Sequence, residues 1–139
     1  MTISYGVEPD LSGPEFIDVL HRSTLAARRP VDDVDRIEKM LTGADLIVTA
    51  RDSGGLLVGV ARAVTDFSFC CYLSDLAVDQ NVQGDGIGRA LMKRTWEEAG
   101  EAGTFVLLSA PGALTYYPQA GLDKFDNCFG LKRPWPEET

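Results

Sequence analysis

The chain has 139 residues, enough for one domain with a single core, and we expect a single domain over residues 1–139. Its formal net charge of −8 argues against nonspecific binding to nucleic acid, whose phosphates require a basic protein face. A hydrophobic content of 45% with 24% charged residues is typical of a globular protein.

The amino terminus lacks the basic and apolar segments of a signal peptide, and no segment reaches the length of a membrane span. We therefore expect a cytoplasmic protein without a membrane partner. The cysteines, Cys70, Cys71 and Cys128, are odd in number and form no Cys-x-x-Cys pair. They are predicted to be buried reduced thiols, and no metal site is expected.

Two helices are predicted in the first third of the chain. The first has Pro14 at its first helical position, and its apolar face repeats at helical spacing. That face consists of Phe16, Val19, Leu20 and Ser23. The second helix begins near Asp32 or Asp33 and ends at Gly43. Its apolar positions are Val34, Ile37, Met40 and Leu41. Both helices are expected to precede the sheet.

Strand patterns follow the helices. Residues 46–51 and 56–65 are rich in β-forming residues, and the glycine-containing segment 52–55 between them predicts a tight hairpin. Residues 67–78 are expected to form the next antiparallel strand. Residues 104–110 predict a further buried strand, which Pro111 ends. A short helix over 113–117 and a closing strand over 125–131 are predicted beyond it.

A helix is predicted between the strand over 67–78 and the strand over 104–110. Its apolar face consists of Ile87, Leu91, Thr95 and Ala99. Gly100 and Gly103 stop the helix. Strand, helix and strand then form a βαβ unit whose right-handed crossover makes the two strands parallel. The helix start opens beside the ends of both strands, so a long apolar ligand arm could lie between them.

The turn before this helix is rich in glycine. It reads Gln83, Gly84, Asp85, Gly86, Ile87 and Gly88. Glycines let the backbone approach a ligand closely, and the first N–H groups of a helix are unpaired, so this turn predicts a phosphate-binding site. A P-loop is disfavoured because Arg89 and Ala90 stand where Lys and Ser or Thr are needed. A dinucleotide fingerprint is disfavoured because the third glycine has the wrong spacing.

The pattern Gln-x-x-Gly-x-Gly, at Gln83, Gly86 and Gly88, resembles the signature of the GNAT N-acetyltransferases. Residues 73–78 look like that family's strand before the pyrophosphate-binding turn. Residues 116–122 are similar to its aromatic-Tyr-x-x-x-Gly-aromatic element. The resemblance covers roughly residues 45–132. The chain departs from the pattern at Gln83, where many members carry Arg, and at Leu122, which replaces an aromatic residue.

The resemblance implies an α/β GNAT fold. Its central sheet would be mixed and mainly antiparallel, with six or seven strands, a parallel splayed pair at the cofactor site and about four flanking helices. Acetyl-coenzyme A is the implied acyl donor, and no metal is implied. The implied cofactor-binding residues are Leu76, Ala77, Val78, Gln83, Gly84, Asp85, Gly86, Ile87, Gly88, Arg89 and Tyr117.

These residues would divide the work of binding. The backbone N–H groups from residue 84 to residue 89 would bind the pyrophosphate, aided by the helix dipole. Asp85 is expected to cap the helix. A β-bulge near residues 76–78 would free backbone groups for the pantetheine arm and for the thioester oxygen.

Two catalytic residues are implied by position. Tyr117, four residues before Gly121, resembles the family tyrosine that protonates the departing thiolate. Asp75 is a candidate base for the incoming amine, and the alternative is a carboxylate that faces solvent or pairs with Arg62 or another base. His21, the single histidine, is expected to face solvent, so covalent catalysis is disfavoured.

The expected function is transfer of an acetyl group to a primary amine of a small molecule or protein, by direct attack in a ternary complex. The alternative is a noncatalytic module that binds or senses acyl-coenzyme A. The acceptor is expected to contact residues 5–36 and the closing strands, and the family's habits make a homodimer plausible. No residue pattern identifies the acceptor.

Overall fold

The computed structural model describes residues 2–137. Its strands are β1 (Ser4–Val7), β2 (Leu46–Arg51), β3 (Leu57–Thr65), β4 (Cys70–Val78) and β5 (Thr104–Leu107). Its α-helices are α1 (Gly13–Ser23), α2 (Val34–Thr42), α3 (Ile87–Glu98) and α4 (Tyr116–Ala120). The chain divides into two compact units, one up to residue 108 and one from residue 109 onward. The first unit contains all of the strands.

None of the helices in the described range is long and apolar enough to cross a membrane.

The sheet is mixed and has the order β1-β2-β3-β4-β5. The first three strand pairings are antiparallel and β4 pairs with β5 in parallel, and the sequence predicts all of these pairings except that of β1 with β2. Six or seven strands are not confirmed, because the described residues form five. The predicted closing strand over 125–131 is absent from the described residues. Asn127 and Gly130 disfavour a strand there, and Phe129 is 92% exposed, so no buried face supports one.

The expectation that both helices precede the sheet is wrong, because β1 comes before α1. This strand pairs antiparallel with β2, placing Tyr5 opposite Ala50. It has four residues, includes Gly6 and is buried on neither face. A short edge strand of this kind carries little periodic signal in the sequence.

The helices cover the two faces of the sheet. Val60 and its cross-strand partner Ala77 lie in one core cluster with side chains of α1 and α2. The neighbouring Gly59 faces α3 instead, and a Cβ there would lie 2.9 Å from Cδ1 of Leu91 and 3.2 Å from Cγ2 of Ile87. Successive residues of a strand point to opposite faces, so α1 and α2 cover one face and α3 the other. The missing side chain at Gly59 lets α3 pack closely on the sheet.

The first two helices begin close to the predicted positions, and α2 ends at the predicted residue, Gly43. Ser12 accepts a hydrogen bond from the Glu15 N–H, and Asp33 accepts one from the Arg36 N–H, so each helix has a side-chain N-cap. The predicted apolar face of α1 is buried throughout. In α2, Ile37 and Leu41 are buried, whereas Val34 is exposed because it lies at the first position.

The predicted hairpin joins β2 to β3. Asp52 closes it, since its N–H donates to the Leu56 carbonyl and its side chain accepts from the Gly54 and Leu56 N–H groups. The next strand begins later than expected, at Cys70. The Asp66 carboxylate accepts three backbone N–H bonds over residues 68–70, which stabilises a turn there instead.

Candidate functional site

The glycine-rich turn joins the end of β4 to α3. A short 3-10 helix, Gln80–Val82, precedes the turn. Val82 and Ile87, which flank the turn, are buried. Between these anchors residues 83–86 are exposed. The turn is therefore held from below by apolar packing while its backbone faces outward.

The backbone N–H groups of residues 84–88 have no hydrogen-bond acceptor within the described range. The first helical bond of α3 runs from the Ala90 N–H to the Gly86 carbonyl, 3.0 Å away. Helix α3 has no side-chain N-cap, so the predicted capping role of Asp85 is wrong. A row of unpaired N–H groups at a helix start is the arrangement that binds a phosphate.

Two glycines give this turn its shape. Gly84 has φ +92° and Gly86 has φ +80°, conformations that other residues adopt only with strain. A Cβ built on either residue would meet no atom within 4 Å, so the space beside the turn is open. An anionic ligand can approach this backbone directly, and the residues present fit the pyrophosphate of coenzyme A.

The side chain of Gln83 turns back onto the strand. Its Nε2 donates to the Val78 carbonyl at 3.0 Å, so the amide ties the start of the turn to the last residue of β4. Many GNAT members carry an arginine at the position of Gln83. The side chain of Gln83 therefore adds no positive charge to the turn.

The edge of β4 beside this turn lacks a strand partner on one side. Pairing between β4 and β5 ends at Leu73 opposite Leu107, so residues 74–78 have no β5 partner within the described range. The predicted bulge near residues 76–78 is wrong in position. Arg62 pairs with Asp75 and Ala63 with Leu73, which makes Ser74 the extra residue. The bulge falls where the parallel pair separates.

Asp75 is fully buried on the sheet face that α1 and α2 cover. One carboxylate oxygen accepts from Nε of Arg29 and the other from Nε of Arg62. Two guanidinium groups thus engage both oxygens of a carboxylate that has no access to solvent. Of the alternatives stated for Asp75, a solvent-facing carboxylate is wrong, and pairing with Arg62 or another base agrees with these contacts.

A second ion pair links α1 to the entrance of the turn. Arg22 donates to the Asp79 carboxylate at 2.6 Å and to the Leu57 carbonyl at 2.6 Å. Asp79 also accepts from the Asn81 N–H. Burial alone would raise the pKa of Asp79, but these hydrogen bonds and the charge of Arg22 hold it below its usual value. The residue that starts the turn is therefore an ionised carboxylate fixed from both sides.

Tyr117 belongs to the second unit, in helix α4. The Gly121 N–H donates to the Pro118 carbonyl and the Leu122 N–H donates to the Tyr117 carbonyl, with Gly121 at φ +107°. These bonds form a Schellman motif, which explains the spacing between the tyrosine and the glycine. The side chain is half-buried, its ring centroid lies 5.1 Å from that of Tyr116, and burial raises the pKa of its phenol. The phenol is therefore protonated at neutral pH.

The other candidate groups do not gather into a site. His21 is exposed, as predicted. Only Cys71 is buried, whereas Cys70 and Cys128 are exposed, so the prediction of buried thiols is wrong for two of the three cysteines. Within residues 2–137 no group of three His, Cys, Asp or Glu side chains could hold a metal ion.

Sequence reasoning missed Arg22 and Arg29 as parts of these clusters. Both lie in the segment where acceptor contacts are expected, but each reaches its partner through tertiary contacts that carry no local signal. Arg62 did carry a signal, because a charge inside the apolar run of β3 requires a counter-ion.

The described residues form an α/β fold with helices on both faces of a mixed sheet, a parallel strand pair that separates after Leu73, and a candidate anion-binding turn at the start of α3. A family model described as an acetyltransferase (GNAT) domain matches residues 24–129. The chain belongs to the GNAT acetyltransferase family.

Individual proteins agree with this assignment. An uncharacterized N-acetyltransferase, ycf52, of Porphyra purpurea is 27% identical over 99 residues, which make up 70% of this chain and 57% of that protein. The chain thus spans a little over half the length of the curated relative.

Solved structures match the fold over nearly the whole chain. A GNAT-family acetyltransferase of Streptococcus pneumoniae TIGR4 has a TM-score of 0.75 at 18% identity, covering 98% of this chain and 100% of its own. A ribosomal-protein-alanine N-acetyltransferase of Brucella melitensis has a TM-score of 0.74 at 18% identity, with 95% and 100% covered. At these identities the likeness concerns the fold alone.

Proposed function

We propose that this protein transfers an acetyl group from acetyl-coenzyme A to a primary amine, by direct attack of the amine on the thioester. The observation that carries the proposal is the row of N–H groups over residues 84–88, which have no acceptor in the described part of the chain, next to an edge of β4 that is unpaired there. An anion-binding turn followed by an open strand edge suits a ligand with a pyrophosphate at one end and an amide-bearing arm.

The backbone does most of the binding in this proposal. The N–H groups from residue 84 to residue 89 hold the pyrophosphate, with the side chain of Gln83 beside them. The edge of β4 that includes Leu76, Ala77 and Val78 supplies hydrogen-bond partners for the pantetheine amides. A backbone N–H of the same edge donates to the thioester oxygen as negative charge develops on it.

Proton transfer is the second requirement. A lysine-like amine with a pKa of ~10.4 costs ~4.6 kcal/mol to deprotonate at pH 7, at 1.36 kcal/mol per unit. Desolvation in the site lowers this cost, and water accepts the proton. The contacts of Asp75 favour an ion-pair role over that of the base, because both of its oxygens are engaged. Tyr117 is proposed to protonate the leaving thiolate.

Isothermal titration calorimetry with coenzyme A tests the cofactor half of the proposal. We expect saturable uptake by the folded wild-type protein, and its absence would remove the assignment. Coenzyme A release, followed with a thiol reagent over a panel of amines, tests the catalytic half. Uptake without release for every amine would identify a noncatalytic acyl-coenzyme A binding module. Cytoplasmic location and homodimer formation stay predictions.

Replacing Gly86 by alanine is expected to weaken coenzyme A binding by about 10- to 100-fold. The Cβ would enter the open space beside the turn, and relaxation of the positive φ would turn N–H groups away from the phosphates, each charge-assisted hydrogen bond being worth about 1.5–3 kcal/mol. Calorimetry on both proteins measures the change.

Gly55→Ala is the matched control. Gly55 has φ +88° in the β2–β3 hairpin, and a Cβ there also meets no atom within 4 Å. Both variants should lose about 1 kcal/mol of stability from backbone strain, whereas only Gly86→Ala should lose affinity. Equal affinities in the two variants would contradict the binding role of the turn.

Gln83→Arg is expected to make coenzyme A binding more dependent on salt. The wild-type side chain is neutral and bonded to the Val78 carbonyl, so it adds no charge for salt to screen. Affinity measured between about 50 mM and 500 mM sodium chloride, a range over which the Debye length falls severalfold, should drop more steeply in the variant. Equal slopes would show that position 83 does not face the phosphates.

A further inference from the structure

The buried carboxylate of Asp75 does not balance the charge around it. Arg29 and Arg62 both bind it, and no other carboxylate in the described range forms an ion pair with either arginine. The cluster of Arg29, Arg62 and Asp75 thus carries one excess positive charge, although the chain as a whole has a net charge of −8. A cation that is partly removed from water is stabilised by a second anion.

The two arginines differ in exposure to solvent, since each guanidinium uses three of its five N–H bonds. Each nitrogen of the Arg62 guanidinium donates to a partner: Asp75, the Met40 carbonyl and the Ser74 hydroxyl. Its side chain is 9% exposed, so it belongs to the core.

Arg29 is more open. Its Nε donates to Asp75 and its two terminal nitrogens donate to the carbonyls of Arg28 and Ser74. A guanidinium carries five N–H bonds, so one on each terminal nitrogen has no partner within the described range. The side chain is 22% exposed, and it is held in place by its three bonds. This is a fixed, partly desolvated cation with donors to spare.

The position of Arg29 connects it to the chemistry. Its guanidinium bonds Ser74, the extra residue of the bulge, directly after the last pairing of β4 with β5. The open edge of β4, along which the cofactor arm is proposed to lie, begins at the same residue. An acceptor amine that reaches the thioester from this side would bring the rest of its molecule next to Arg29.

We propose that Arg29 binds an oxyanion of the acceptor, a carboxylate or a phosphate, and so selects amines that carry a negative group. This inference rests on the proposed function. Arginine suits the role because its terminal N–H groups match the two oxygens of a carboxylate or phosphate. Asp75 and the Ser74 carbonyl act as positioning groups that fix the guanidinium.

Binding of the oxyanion can be measured without catalysis. The side-chain Nε–H signals of the arginines are followed by NMR while inorganic phosphate or acetate is added, with sodium chloride at equal ionic strength as the reference. Arg29→Lys assigns the Arg29 signal by its disappearance. Arg94, whose Nε is bonded to Glu98 and whose side chain is 37% exposed, is the matched control.

We expect saturable movement of the Arg29 signal and little movement of the Arg94 signal. Equal movement of the two signals, or no movement of either, overturns the anion site. A response to phosphate alone identifies a phosphorylated acceptor, and a response to both anions identifies a carboxylate site as well. This readout decides the inference even if the protein fails to bind coenzyme A, which is the separate failure of the proposed function.

Pairs of acceptor amines that differ in a negative group test whether Arg29 selects anionic acceptors. Amino acids are compared with their carboxamides, and phosphoethanolamine with ethanolamine, in wild type, Arg29→Gln and Arg29→Lys. Each preference is taken as a ratio between proteins, which cancels the different pKa values of the amines. The kcat/KM preference for the anionic member should fall by about 10- to 100-fold in Arg29→Gln and by less in Arg29→Lys. Arg94→Gln should keep the wild-type preference, and an unchanged preference in Arg29→Gln contradicts the proposal.

Discussion

Replacing Asp75 by asparagine is expected to lower the free energy of unfolding by about 3–5 kcal/mol. The substitution keeps the size of the side chain but removes the one carboxylate that pairs with Arg29 and Arg62 within residues 2–137. Two guanidinium groups would then remain in a region largely closed to water. Urea denaturation measures the change, with the slope of the transition checked for two-state behaviour.

Asp18→Asn is the control for this variant. Asp18 also pairs with an arginine, but its side chain is 60% exposed, and loss of such a surface pair costs about 0.3–0.5 kcal/mol. Equal losses in the two variants would contradict the structural role of Asp75. The pH dependence of kcat, measured below the melting temperature, separates the two roles. If Asp75 only holds the two arginines, its replacement leaves the shape of the pH profile unchanged. If Asp75 is the base, its replacement removes one limb of the profile.

Replacing Tyr117 by phenylalanine is expected to lower kcat by about 100-fold or more, because a positioned general acid contributes roughly 10²- to 10⁴-fold. Coenzyme A affinity should be nearly unchanged, since the ring and the Schellman bonds of its backbone remain. Burial raises the pKa of Tyr117 above the ordinary value of 10.0, so the wild-type phenol stays protonated from pH 6 to 9. Ionisation of this group should therefore cause no fall in rate over that range.

Tyr116→Phe is the matched control, because Tyr116 is the ring neighbour of Tyr117 and is 38% exposed. It should keep a kcat within a few-fold of the wild type. Measuring kcat and KM separately, with coenzyme A affinity from calorimetry, distinguishes a proton-transfer defect from a binding defect. A Tyr117→Phe enzyme with undiminished kcat would assign the proton to water.

Local patterns predicted much of the first unit. Helix α1 has its predicted apolar face, β2 has its predicted bounds, and the parallel pairing of β4 with β5 follows from the handedness of the βαβ unit. These features depend on periodicity, glycines and caps within a few residues. The closing strand over 125–131 was wrongly predicted from such local patterns, because a strand also needs an edge to pair with and a buried face.

In the candidate site too, features set by local sequence were predicted and features set by tertiary contacts were not. The turn from Gln83 to Gly88 was evident from glycine spacing, because the binding groups proposed for it belong to the backbone. The bulge was misplaced by two to four residues because its position at Ser74 depends on register with β3. Arg29 was not singled out, because it meets Asp75 across 46 residues of sequence.

Gly59 links the packing of the sheet interior to the position of the glycine-rich turn. Its bare backbone sets the depth at which α3 rests on the sheet, and both Ile87 and Leu91 would have to retreat from any added methyl group. Ile87 is also the first residue of α3 and is buried beside the exposed turn, so crowding at Gly59 acts on a residue that anchors this turn. Gly59, in the middle of β3, therefore influences where the glycine-rich turn lies, although it is not part of that turn.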